Sequence, residues 1–88
     1  MYQGKTKSGF EYKIDPKAFD DYELLEDIYK VEVEGSQGHM VSVVNRLLGD
    51  KQKRDLMEHL RDKNGRVGMT AMFEAVMEIF SNHQEGKN

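Results

Sequence analysis

The side chains that could do chemistry are spread thinly through these 88 residues. Three histidines, residues suited to binding zinc or moving protons near neutral pH, stand at positions 39, 59 and 83, too far apart for an HxxxH or HExxH pattern. The segment Asp62–Gly65 begins like a calcium-binding loop, but such a loop needs Gly at its sixth position and Glu at its twelfth. Here Gly falls at the fourth position and Phe73 at the twelfth. We therefore predict a turn at this segment and no bound metal.

Motifs that support catalysis are missing from the sequence. It contains no Gly-x-Ser-x-Gly, P-loop or Gly-x-Gly-x-x-Gly pattern, and its carboxylates fall on a predicted solvated helix face rather than in an acid/base pair. Hydrophobic residues make up 38% of the chain, so the core is small and leaves little room for a closed pocket. The absence of cysteine removes disulfides and thiolate chemistry, as in most cytoplasmic proteins. No apolar run approaches the roughly 18–20 residues that span a bilayer, so we expect a cytoplasmic, non-enzymatic protein with no cofactor and no membrane partner.

The strongest candidate for binding is the C-terminal segment, predicted as a helix from about Thr70 to Asn82. Its apolar residues cover an arc of about 160°, whereas packing on a single core needs a stripe only somewhat over 100° wide. Methionine is flexible and polarizable, and it is over-used where a surface accepts varied apolar partners. This face is therefore either the methionine-rich core of a small bundle or an adaptable surface that holds an apolar partner segment. With Met57 from the preceding helix, the residues predicted to bind such a partner are Met57, Met69, Met72, Phe73, Val76, Met77 and Phe80.

Charge is segregated along the chain. Residues 11–34 hold nine acids and three lysines, a net charge of −6, while residues 45–66 hold seven bases and four acids, a net charge of +3. Either these are two solvated helix faces whose opposite fields favour packing, or one face recruits a charged partner or a second copy. The residues predicted to form this charged surface are Asp20, Glu23, Asp27, Lys51, Lys53 and Arg54.

The N-terminal half combines a short strand with a helix. Gly9–Ile14 alternates apolar and charged residues with the period of two that is typical of a strand. Asp15 and Pro16 then match an N-cap and a first helical position, which predicts a helix from Lys17 to about Lys30. The segment Val31–Glu34 is either a second strand that pairs with the first or a fraying helix end. The apolar arc predicted for this helix comprises Tyr22, Leu24, Leu25, Ile28 and Tyr29.

The C-terminal half predicts three further helices. His39–Leu48 presents one apolar face, Gly49 ends it, and a third helix runs from Asp50 to about Lys63 before the C-terminal one. The fold class we expect is a mostly α, small four-helix domain with a short N-terminal β element. This domain is predicted to span residues 9–82, between a flexible segment at 1–8 and a flexible tail at 83–88.

A DNA-binding interpretation starts from residues 44–63, where helix, glycine-containing turn and helix succeed one another as in a helix-turn-helix. Lys51, Lys53, Arg54 and Arg61 would contact phosphates. Acids interleave these bases, however, and the whole chain carries a net charge of −3, which argues against nucleic acid as a partner. A small phage or host DNA-binding regulator is therefore the alternative function and not the first choice.

Four short motifs follow one another in a recognisable order. Ser8–Asp15 (SGFEYKID) precedes Asp20–Leu25 (DDYELL), and further on Leu47–Lys53 (LLGDKQK) precedes His59–Val67 (HLRDKNGRV). In order and spacing they resemble the small tail assembly chaperones of siphophages and prophages in Gram-positive bacteria. The resemblance covers roughly residues 8–80, nearly the whole chain.

The resemblance implies a role in virion assembly without catalysis. Such chaperones bind the long, helical, apolar tape measure protein, keep it soluble and help to recruit tail tube subunits around it. It thus implies these two partners, action in the cytoplasm of a bacterial host and absence from the finished virion. A homo-oligomer in which copies line up along the client is compatible with it. A structural tail or head-completion subunit, which would be retained in virions, is a further alternative.

Overall fold

A computed structural model describes residues 1–83 of the chain. This part of the protein is mostly helical and has a two-stranded antiparallel sheet near the N-terminus, which confirms the predicted mostly α class with a short N-terminal β element. Within it, no helix has both the length and the apolar character needed to cross a bilayer. In chain order the elements are β1 (Tyr2–Lys5), β2 (Glu11–Ile14), a 3-10 turn (Pro16–Ala18), α1 (Tyr22–Glu32), α2 (Gln37–Leu60) and α3 (Met69–Asn82).

The strand predicted within Gly9–Ile14 is present as β2, whose side chains alternate between core and solvent. Tyr12 and Ile14 are buried, and the residues on either side of Tyr12 are exposed. The partner strand is β1, with Tyr2 opposite Ile14. Residues 1–8, predicted as a flexible segment, instead contribute this strand, because β1 satisfies backbone groups that β2 alone would leave open.

The first helix begins later than predicted. Asp21 caps it, because its carboxylate accepts hydrogen bonds from the backbone N–H groups of Glu23 (2.9 Å) and Leu24 (3.2 Å). The start of the predicted helix Lys17–Lys30 belongs instead to the separate 3-10 turn. The alternatives left open for residues 31–34 are decided in favour of a helix end, since α1 runs into this segment.

The described chain has three α-helices and not the predicted four. The segments predicted as separate helices, His39–Leu48 and Asp50–Lys63, join in the single element α2. Gly49 lies inside it with φ 75° and ψ 171°, a backbone conformation that side chains disfavour, and kinks the helix. Gly49 therefore interrupts the helical geometry where a stop was predicted, but helical geometry resumes at the next residue, so the two segments join at a kink without a connecting loop.

All three helices and β2 contribute to one core. The amide of Gln52 on α2 fastens β2 to this core, since it accepts from the backbone N–H of Lys13 (2.9 Å) and donates to its carbonyl (2.7 Å). The helix α3 inserts two fully buried side chains, so it is anchored to the core along one edge. The most deeply buried residues are Ile14, Leu24, Val43, Leu56, Val76 and Ile79.

The end of α3 is tied to the hairpin. The ring of His83 stacks on Tyr2 with centroids 4.7 Å apart, and its Nε2 lies 2.9 Å from the hydroxyl of Tyr12. His83 was predicted to begin a flexible tail, but these aromatic contacts hold it against β1 and β2. The rest of that predicted tail, residues 84–88, lies outside the described residues.

Candidate functional site

An apolar groove of about 230 Å³ lies between α2 and the start of α3. Four of the six methionines of the chain line it, and Asn45 and Lys53 are its polar members. We call it the methionine groove. Its lining residues are Met40, Val41, Val44, Asn45, Lys53, Met57, Val67, Gly68, Met69 and Met72.

The groove has a buried floor and an exposed rim. Met72 is 9% exposed and packs with the core, whereas Met69, one turn earlier on α3, is 63% exposed. Val41 stands exposed on the opposite wall, from α2. Large apolar side chains at the rim are open to another molecule, while the floor keeps its shape through core packing.

A tight turn between α2 and α3 sets the position of the second wall. Asp62 organises it, because its carboxylate accepts from the backbone N–H groups of Asn64 (2.8 Å) and Arg66 (3.0 Å). A β-bridge then pairs Arg61 with Val67, which brings Val67 over α2. The segment that began like a calcium loop is thus a turn, as predicted, and its carboxylate is used by backbone donors.

Arg61 fastens this turn to the end of α2. Its guanidinium donates to Glu58 Oε2 at 2.7 Å and to the carbonyl of Gly65 at 2.9 Å. The hydrogen bond from Arg61 and its positive charge lower the pKa of Glu58, and the same carboxylate raises the pKa of Arg61. The second wall of the groove, which carries Val67 and Met69, is therefore held in place by contacts that lie outside the groove.

A second shallow depression continues the groove along α3. Phe73 lines it, half-buried, together with Val31 from α1 and with Met40 and Met69, which also line the methionine groove. Because the two depressions share these methionines, one continuous apolar surface runs from Met57 to Phe73. Its length follows the first turns of α3.

Four of the seven predicted partner-binding residues lie on this surface. Met57, Met69 and Met72 line the groove itself, and Phe73 lines its continuation. They meet because Met57 lies near the end of α2, which packs against α3. The structure therefore brings these four residues together at the N-terminal end of α3, and their binding of a partner stays a prediction.

The other three predicted residues lie elsewhere. Val76 is fully buried in the core and is not available to a partner, which corrects its assignment. Met77 and Phe80 are half-buried against the core, and the ring of Phe80 stacks on Phe19 with centroids 6.1 Å apart. The apolar residues in the C-terminal half of α3 thus pack on the core, because Phe19 and the β1–β2 hairpin cover this half of the helix.

Sequence reasoning missed one wall of the groove. Met40 and Val41 come from α2, and Val67 comes from the turn. The signal available was the methionine at position 40 beside an outward-facing valine, but the pattern there also fits a helix packed on the core. Only the approach of α3 to this part of α2 distinguishes the two.

The predicted charged surface is divided by the structure. Glu23 and Asp27 of α1, together with Asp21, surround Arg46 of α2 at 3.1, 3.3 and 3.4 Å respectively. Desolvation opposes the charge of Arg46, but the three carboxylates outweigh it and raise the pKa of the guanidinium. Glu23 and Asp27 therefore hold α1 to α2, whereas Asp20 remains exposed.

The predicted basic residues pair with neighbours on their own helix. Lys51 Nζ lies 2.7 Å from Asp55, and both Lys53 and Arg54 contact Asp50. These pairs reduce the charge that this face could offer to phosphates. A helix-turn-helix also joins its two helices through a turn of roughly three to four residues, whereas α2 continues directly through its kink. The DNA-binding interpretation thus stays a prediction, and the geometry gives it no added support.

Similarity to known proteins does not identify a function for this chain. No family model, no curated protein and no solved structure matches the chain. Among residues 1–83 no group of three or more His, Cys, Asp or Glu side chains is placed to hold a metal ion. The methionine groove is therefore the feature from which a function is best inferred.

Proposed function

We propose that the protein is a non-enzymatic chaperone that holds an apolar helical segment of a client in the methionine groove. The observation that carries this proposal is the groove itself, an apolar cleft with four methionines between two helices. The order of sequence motifs supports a specific client, the tape measure protein of a phage tail, around which the chaperone would help to recruit tail tube subunits. In this proposal the protein acts in the cytoplasm of the bacterial host and is absent from the finished virion.

The chemistry of the groove suits a helix and not one defined ligand. An amphipathic helix docks by placing apolar side chains from successive turns into a hydrophobic groove. Methionine side chains can repack around side chains of different shape, so the same groove accepts different stretches of a long client. The continuation of the groove to Phe73 extends the surface that a helix could contact.

The expected affinity of one groove is low. A client that buries two or three large apolar side chains gains about 3–9 kcal/mol, and the loss of translational and rotational freedom offsets much of this gain. One copy therefore binds reversibly, whereas several copies on one long client hold it through their combined contacts. Reversible binding is what a chaperone needs if tail tube subunits are to displace it.

Co-expression with the tape measure protein of a siphophage of Gram-positive bacteria tests this proposal. Met69→Asp places a carboxylate on the groove rim, where the exposed position tolerates it, so the protein still folds and the soluble fraction of the client falls. Ser81→Asp is the matched control, since Ser81 is also exposed on α3 but lies outside the groove and its continuation. If both variants keep the client as soluble as the unmodified protein does, the groove is not the client site.

A further inference from the structure

A second apolar surface lies on α1, away from the methionine groove. Four large apolar residues of this helix and its C-cap are each more than half exposed. At 100° per residue they fall within an arc of about 80° on one side of the helix. They are Tyr22, Leu25, Tyr29 and Val33, and we call them the α1 stripe.

The α1 stripe is bordered by acids without ion-pair partners. Glu26, Glu32 and Glu34 are exposed, and none of them makes a salt bridge within residues 1–83. The only base within α1 is Lys30. The stripe therefore combines apolar side chains with a negative border, and its partner must be apolar with a positive border.

The methionine groove meets that description. Lys53, its one charged lining residue, pairs with Asp50, but the turn that carries Val67 also carries two further bases, Lys63 and Arg66. Lys63 and Arg66 are exposed and make no salt bridge in the described part of the chain. The same molecule thus presents an acidic apolar helix face and a basic apolar groove.

We propose that the α1 stripe of one copy docks into the methionine groove of a second copy. The proposal rests on the same groove as the proposed function, so a client helix and a second copy exclude each other from it. Pairing of two α1 stripes is disfavoured, because Glu26 and Glu32 of one copy would face the same acids of the other. Contact between unlike surfaces closes into a dimer or a ring, or continues as a chain, according to the angle between copies.

Sedimentation velocity of the full chain, without a client, tests this inference. Leu25→Asp damages the stripe and Met69→Asp damages the groove rim, both at exposed positions. The unmodified protein is expected to associate as its concentration rises. For each variant alone, the dissociation constant of this association is expected to rise at least about tenfold. An equimolar mixture of the two variants regains association, because it supplies one intact stripe and one intact groove. Added salt weakens the association in part, because it screens the attraction between the acidic border of the stripe and the basic residues beside the groove.

The outcomes that overturn the inference differ from those that overturn the proposed function. An unmodified protein that stays monomeric, a Leu25→Asp variant that associates normally, or a mixture that does not associate excludes docking of a second copy. Circular dichroism of each variant checks that it is folded. Loss of client solubility with Met69→Asp would still support the client site in that case. Conversely, a mixture that associates while Met69→Asp keeps the client soluble supports the copy contact alone.

Discussion

Helices α1 and α3 both carry more large apolar residues than a single core contact requires, yet they use them differently. Along α3, Val76 and Ile79 are fully buried and the N-terminal methionines line a groove. Along α1, only Leu24 and Ile28 are buried, and four large apolar residues on or directly after it face outward. The width of an apolar arc in a sequence therefore does not show which of its residues the core buries.

The rotation of α1 about its axis explains the difference. Asp21, Glu23 and Asp27 contact Arg46 of α2, and Asp27 also accepts a hydrogen bond from Ser42. These polar contacts fix one side of α1 against α2, next to its two buried residues. The stripe lies on the remaining side of α1, where each of its four residues is more than half exposed.

The largest expected effect separates the buried edge of α3 from the stripe of α1. Ile79→Ala removes fully buried methyl and methylene groups and leaves a cavity, so the free energy of unfolding falls by about 2–5 kcal/mol. Leu25→Ala removes a similar side chain from an exposed site and changes it by about 0.5 kcal/mol or less. Urea unfolding of both variants measures the difference. A loss above about 1.5 kcal/mol for Leu25→Ala would mean that the stripe belongs to the core.

A smaller effect tests how α1 is oriented. Asp21→Ala removes the N-cap and one of the acids around Arg46, and we expect the unfolding free energy to fall by about 0.5–2 kcal/mol. The neighbouring exposed Asp20 caps no helix and is the matched control as Asp20→Ala. Amide hydrogen exchange should quicken in α1 more than in α3 for the first variant only. Equal effects of the two substitutions would mean that the N-cap at Asp21 does not hold α1 in place.

The sequence predicted some of these features because they are local. The alternation around Tyr12 predicted β2, and the turn residues after Asp62 predicted the turn that positions one wall of the groove. The pairing of β1 could not be foreseen, since its residues carry little apolar pattern and gain their order from β2. Gly49 does interrupt the helical geometry as its residue type predicted, but the pattern could not show that the next helical segment follows it directly, without a loop.

The candidate site was predicted only in part, because the sequence pattern reports on one segment at a time. A helical wheel gave the apolar residues of α3, and methionine content pointed to its first turns. Neither the wheel nor the methionine content could show that Val76 faces inward or that Met40 completes the groove, because both facts depend on how α3 packs against α2. Long-range packing of this kind leaves no periodic signal in a single segment.

The six methionines allow the central claim to be tested by one measurement. With methyl groups of methionine labelled with carbon-13, the protein is titrated with a synthetic helical peptide that carries leucines at positions i, i+3, i+4 and i+7. We expect the methyl signals of the groove methionines to shift together, while those of Met1 and Met77, which do not line it, stay in place. Shifts at Met77 with none at Met57 and Met69, or no shifts at all, would contradict the assignment of the groove as the client site.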